Sequence, residues 1–224
     1  MTTTAYKNKI YTGKTITWNQ LIQNGDFINI NDWVVEQGTY RIADNEIAMV
    51  STGKYTYMAI RQIIPTSLMV SGHKYLIDFD VPYITGGYHF VVGLHNGKMQ
   101  QQPLERNPST GEAFHVSAFW SPNDNYINTM GQTNRLMIYA ANNLQLGDNS
   151  YVMKLMNVQM FDLTLMFGAG NEPATAEEFW SHFERKVYPY NTGESQPLYL
   201  ISRKRKIKSG NAMTTSYKTK IKEG

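Results

Sequence analysis

The chain has 224 residues, 42% hydrophobic and 12% aromatic, enough to bury a sizeable core in one domain with extensions but not a composition that asks for two full domains. Fifteen tyrosines, nine phenylalanines, 17 glycines and only 17% charged residues favour an all-β fold over a helical one, and the absence of cysteine excludes a disulfide framework or a thiolate metal site. The net charge of +3 hides an asymmetry: residues 201–224 carry eight cations against Glu223, a net +7 that leaves −4 for the rest of the chain.

Residues 1–20 are polar and threonine-rich. They contain no apolar h-region, and no run in the chain reaches membrane-spanning length, so neither a Sec substrate nor an integral membrane protein is expected. Gly13-Lys14-Thr15 resembles the end of a phosphate-binding loop, but Asn8 stands where that loop needs glycine. Residues 3–13 and 214–224 match at seven of eleven positions, and two copies at opposite ends of a chain do not make a solenoid. The expectation is a pair of docking strands, carried by Tyr6, Lys7, Lys9 and Ile10 at one end and Tyr217, Lys218, Lys220 and Ile221 at the other. They would add to neighbouring subunits or to equivalent sites on a partner. Two flexible tails of similar composition are the alternative.

The body of the chain reads as a succession of strands. Leu21-Ile22 runs into the turn Asn24-Gly25-Asp26-Phe27, with Trp33 beyond it. Residues 40–43 and 46–50 flank Asp44-Asn45, a hairpin signal. Residues 55–64 follow, then 74–81, where Tyr75, Ile77, Phe79 and Val81 alternate with Asp78 and Asp80 on a wet face. Phe90, Val92 and Leu94 alternate with His89 and His95. Phe114, Val116, Ala118 and Trp120 alternate with His115 and Ser117. Residues 135–141 and 151–165 complete eight or nine strands, a count that suits a two-sheet jelly roll. Residues 97–111, with Pro103 and Pro108, read as a long polar loop. Thr175 and Glu178 form a capping box for a helix over 176–187, with Phe179, Trp180, Phe183 and Val187 on one side; Tyr188-Pro189 ends it.

No motif of nucleophilic or zinc-dependent catalysis is present. Asp78 and Asp80 share a strand face, but alternation alone produces such pairs, and solvated carboxylates are the expectation. His89 and His95 lie about 20 Å apart on one strand at roughly 3.3 Å per residue, too far to share a metal ion. Tyr55, Tyr57, Arg61, His89, His95 and Trp120 mix aromatic and hydrogen-bonding groups as a sugar-binding face does. A β-sandwich also needs aromatics for its core, and that is the competing reading of each. The basic run 203–208 attracts polyanions but has no interleaved aromatics with which to read a nucleic-acid sequence.

Two stretches resemble known proteins. Met166-Phe167-Gly168-Ala169-Gly170-Asn171-Glu172-Pro173, with Thr175, Glu177-Glu178-Phe179 and Tyr188-Pro189-Tyr190-Asn191, is similar to a segment of tail and virion-structural proteins of gut bacteriophages. Leu21 to Phe27 with Trp33 resembles the opening of carbohydrate-binding-module-like jelly rolls. In some of those, an acidic residue after the phenylalanine and an aspartate in the last strand hold calcium. Here Ile28 and Asn157 stand instead, so no metal or other cofactor is expected. The resemblance implies a jelly-roll β-sandwich over 21–195, closed by the helix, with an N-terminal arm (1–20) and a basic C-terminal arm (196–224). It implies a non-enzymatic component of a virion tail or fibre, made in the host cytoplasm and assembled with other virion proteins, as a homo-oligomer, with host-surface glycans as ligands. A carbohydrate-binding module serving a polysaccharide-degrading enzyme is the alternative.

Overall fold

The computed structural model describes residues 3–10, 16–17, 19–52, 56–85, 89–98, 100–128, 134–141, 151–182, 185–190, 197–209 and 212–222. Two antiparallel five-stranded sheets pack face to face as an all-β jelly-roll sandwich. Sheet 1 has the order β10-β7-β12-β5-β4, and sheet 2 the order β3-β6-β11-β8-β9. The strands are β3 (Val34–Glu36), β4 (Gly38–Ala43), β5 (Glu46–Ser51), β6 (Tyr57–Ile64), β7 (Tyr75–Ile84), β8 (His89–His95), β9 (Gln100–Arg106), β10 (Phe114–Trp120), β11 (Asn134–Ala141) and β12 (Val152–Asp162). Alternation decides which residues point inward. On β8 the buried set includes Phe90, Val92 and Leu94, and on β11 it includes Leu136, Ile138 and Ala140. These meet Ile77, Phe79, Val116 and Met153 from sheet 1 in one continuous core. Asp44 and Asn45 both adopt positive φ, 53° and 60°, as a two-residue hairpin turn requires.

Strand β12 changes partners halfway. Its first residues pair with β5 from Val152↔Val50 to Leu155↔Ile47. Past a bulge at Asn157, which sits at φ 58°, the same edge is taken by residues 19–25: Leu21 N donates to Met160 O at 2.8 Å and Val158 N to Gly25 O at 2.8 Å. The turn after Gly25 folds Phe27 into the core against Trp33, ring centroids 5.4 Å apart, and the Trp33 indole donates to Asn24 O at 3.1 Å. The tryptophan beneath the turn is where the sequence places it.

The outer faces of the two sheets differ. Asp162 ends β12 by accepting from Leu165 N at 2.9 Å, and so caps a short helix, α2 (Leu163–Phe167), where the sequence predicts strand as far as 165. Helix α3 (Ala176–His182) begins at the expected capping box. Glu178 N donates to Thr175 Oγ1 at 3.1 Å, and the Glu178 carboxylate accepts from Ala174 N at 2.8 Å. It is shorter than the predicted 176–187, because residues 185–186 already form a bend and Gln159 holds Tyr188 N at 2.8 Å. Together these segments bury Leu76, Phe161, Leu163, Met166, Phe179 and Tyr188 in a second core on the outer face of sheet 1. That cover is why Asp78, expected to be solvated, is 3% exposed. The predicted loop 97–111 is corrected too: β9 occupies Gln100–Arg106, and Pro103 is tolerated because β9 is an edge strand. A brief helix, α1 (Asp124–Asn128), links β10 to the segment before β11.

The chain ends form a third sheet, of order β1-β13-β14, from β1 (Thr3–Ile10), β13 (Pro197–Ser209) and β14 (Ala212–Lys222). The short β2 (Ile16–Thr17) also pairs β13. The two matching segments therefore flank one strand. Tyr6 pairs with Arg205 and its counterpart Tyr217 with Lys204, a one-residue offset. Successive residues of a strand offer their N–H and C=O groups to opposite sides, so this offset gives each copy the same pairing on its own edge.

Candidate functional site

Because helices cover sheet 1 on the outside, the open concave surface lies on sheet 2. A groove of about 800 Å³ runs across β6, β11 and β8, with Glu36 of β3 and Gln100 of β9 at its sides. Residues of the outward phase form its floor. Tyr57 stands at the β6 end, Met137 and Tyr139 in the middle on β11, and His89 and His95 on β8. Register places Arg135 beside His95, and His95 beside Gln100, in one row across three strands.

The polar groups of the groove are held in defined states. The Tyr139 hydroxyl accepts from Gln100 Nε2 at 2.7 Å and from Gln102 Nε2 at 2.9 Å, which leaves its own proton to donate. Gly93 makes this approach feasible, since a Cβ there would stand 2.8 Å from Gln100 Nε2 and 3.4 Å from Tyr139 Cε1. His95 has its pKa lowered, first by burial and then by the Arg135 cation, with Glu36 opposing. Its Nδ1 accepts from Gly97 N at 3.0 Å, so the neutral ring carries its proton on Nε2. The carboxylate that lines the groove is tied to a basic group, since Glu36 accepts from Arg61 Nε, and the lining His89 contacts Glu105 through Nε2.

The sequence-predicted sugar-binding residues are therefore divided. Tyr57, His89 and His95 line the groove, and Arg61 borders it through Glu36. Trp120 does not belong to it. It is 6% exposed, with its ring 5.3 Å from those of both Tyr75 and Tyr126, and its indole N–H donates to Gln101 Oε1 at 2.5 Å. The phase of β10 explains the correction, because Trp120 follows Val116 and Ala118 inward. Tyr55 lies outside the described residues. The groove also contains residues that the sequence reading passed over, chiefly Arg135, Tyr139 and Gln100. Alternation along 135–141, where Leu136, Ile138 and Ala140 are the buried phase, was the available signal for the first two. The docking residues Tyr6, Lys7, Lys9 and Ile10 fall on β1, and Tyr217, Lys218, Lys220 and Ile221 on β14, the two edge strands of the terminal sheet.

A second polar cluster, on the outside of sheet 1, has the outline of a hydrolytic triad. His115 Nε2 is 3.0 Å from Ser117 Oγ, and His115 Nδ1 is 2.7 Å from Asp80 Oδ1. Asp78 removes the chemistry. It accepts the Ser117 proton at 2.6 Å, meets His115 Nε2 at 2.9 Å and also accepts from the Trp180 indole at 3.2 Å. Burial opposes charge on His115, but its bonds to Asp78 and Asp80 outweigh that and raise its pKa to about 9. An imidazolium at neutral pH cannot take a proton from serine, so this cluster is an ion-paired clasp between β7, β10 and α3. Among the described residues no group of three or more His, Asp or Glu side chains is arranged to hold a metal ion, and no helix is long and apolar enough to cross a membrane. Asp26, read as a turn-former, accepts from Ile28 N at 3.4 Å.

No protein-family model matches the sequence, and no curated protein does. Solved structures with a similar arrangement of sheets include a family 4 carbohydrate-binding module, 13% identical over 66% of this chain and 97% of that one, with a TM-score of 0.43. The C-terminal family 22 carbohydrate-binding module of Clostridium thermocellum Xyn10B is 7% identical over 72% of this chain and 99% of that one, with a TM-score of 0.48. The enzymatically active domain of tailspike protein 4 from bacteriophage CBA120 is 10% identical over 66% of this chain and 24% of that one, with a TM-score of 0.41.

Proposed function

We propose that this protein is a non-enzymatic carbohydrate-binding sandwich, a structural component of a bacteriophage tail or fibre whose sheet 2 groove holds host-surface glycans. One observation carries the binding role: an open groove of about 800 Å³ sets the tyrosines Tyr57 and Tyr139 among oriented hydrogen-bonding groups. A pyranose presents an apolar face, which gains by covering an aromatic ring, and a rim of hydroxyls, which gain from fixed donors and acceptors. With its lining carboxylate Glu36 engaged by Arg61, the groove offers contact rather than a pair of carboxyls poised for glycoside cleavage.

The virion placement rests on the likeness of residues 166–191 to phage tail proteins. It is supported by the terminal sheet, in which β1 and β14 are edge strands whose outer sides have no strand partner among the described residues. Such edges suit strand addition by other virion proteins or by further copies of this chain. Affinity gels and glycan arrays loaded with host-surface polysaccharides test the binding role. Retention of the full chain, weakened about tenfold or more by Tyr139→Ala, is the expected result. Failure of the wild-type chain to bind any polysaccharide would overturn it.

A further inference from the structure

The charges in the groove do not balance among themselves. Glu36, the carboxylate that lines the groove, is already paired with Arg61, and His95 has its pKa lowered. That leaves Arg135, which lines the groove at the end formed with His95 and Gln100. It makes no ion pair among the described residues, and its Nε is buried with no hydrogen-bond partner. A guanidinium without a counter-charge presents its donors in a planar fork that matches a carboxylate. Beside it, His95 Nε2–H and the Tyr139 hydroxyl add neutral donors. The sides of the groove supply acceptors for sugar hydroxyls, but Arg135 lacks an anion.

We infer that the groove selects acidic glycans, with Arg135 receiving the carboxylate of a uronic or sialic acid residue while an adjacent ring lies on Tyr139. The inference rests on the carbohydrate-binding reading and names the ligand class for the same groove. Size supports it, since about 800 Å³ accommodates two or three sugar rings, so that one subsite can read charge and the next can stack. A neutral glycan would leave the guanidinium without its counter-charge, which is how a charged site discriminates.

The test uses the full chain and paired probes: uronate- or sialate-containing oligosaccharides and the same oligosaccharides after carboxyl reduction. Calorimetry is expected to show the acidic member of a pair bound at least about tenfold more tightly, with the difference shrinking as salt rises. Arg135→Gln should abolish the preference between the paired probes, and Arg135→Lys should retain part of it. Because Arg135 has no partner to lose, the melting temperature of both variants should match the wild type, which separates lost recognition from lost folding. Equal binding of both members by the wild type, or a preference that survives Arg135→Gln, overturns the acidic specificity and leaves carbohydrate binding standing. Binding of neither member overturns carbohydrate binding itself, and this inference with it.

Discussion

The Nδ1 of His115 lies 2.7 Å from Oδ1 of Asp80, its direct partner across the β10–β7 pair. The bond makes sheet 1 sensitive to pH from both directions. His115 has a folded pKa of about 9, above its ordinary 6.5, so its contribution is complete below pH 6.5 and is lost as pH rises through 9. Asp80 is shifted the other way, chiefly by its bond to His115, so its contribution is present above the ordinary carboxylate range and is lost as pH falls through its lowered pKa. Melting temperature measured between pH 6 and pH 10 should therefore decline above pH 6.5. The expected loss is on the order of 1 kcal/mol, or about 2–4 °C, once solvent screening is allowed for. His115→Gln should flatten that decline, and an unchanged slope in the variant would refute the assignment.

Trp120 joins the edges of the two sheets, since its indole on β10 donates to Gln101 on β9. Trp120→Ala should destabilise the chain by about 3–5 kcal/mol through cavity formation. Trp120→Phe keeps most of the packing and should cost about 1 kcal/mol for the lost hydrogen bond. Glycan affinity of Trp120→Phe should equal that of the wild type, and a loss of affinity without a loss of stability would return Trp120 to the binding surface.

Gly25 packs its Cα against the backbone of β12, and a Cβ there would collide with the carbonyl oxygen of Val158. The same carbonyl belongs to the residue whose N–H reaches Gly25 O, so relieving the clash breaks the pairing that follows the bulge. Gly25→Ala is expected to cost about 3 kcal/mol, at the upper end of overpacking effects. Chemical denaturation would read this as a lower midpoint with an unchanged slope.

Two buried glutamines fasten the chain after α3. Gln159 accepts from Tyr188 N at 2.8 Å and donates to Lys186 O at 3.2 Å, while Gln20 donates to Tyr188 O at 3.0 Å. Gln159→Leu removes both of its hydrogen bonds to this segment, at about 1–3 kcal/mol. Limited proteolysis should then cut first within residues 185–190. Cleavage there at the wild-type rate would show that the glutamine does not hold this segment.

The legible parts of the fold were those in which each strand pairs a buried phase with a polar one. β10 and β11 follow their alternation, and Asp44-Asn45 turns as its chemistry demands. The misreadings arose where tertiary contacts override local pattern. Pro103 and the polar residues around it suggest a loop, yet β8 recruits them as an edge strand. Asp78 and Asp80 alternate as a wet face would, but Trp180 of α3 covers Asp78 and His115 stands between the two carboxylates. The groove was half legible for a related reason: its residues come from five strands, and only register brings Arg135 beside His95. Trp120 was chosen for its chemistry although its phase already pointed inward.

The one-residue offset by which β1 and β14 flank β13 has a consequence for assembly. Two near-copies of one segment meet equivalent hydrogen-bonding edges, so each is a competitor for the other's place. Between chains this becomes strand exchange: a copy released from one molecule can fill the gap left in another, with local pairing conserved and little net change in free energy. Deleting residues 1–13 should leave an edge of β13 that a second chain can occupy, turning a closed sheet into a linkage whose population depends on protein concentration.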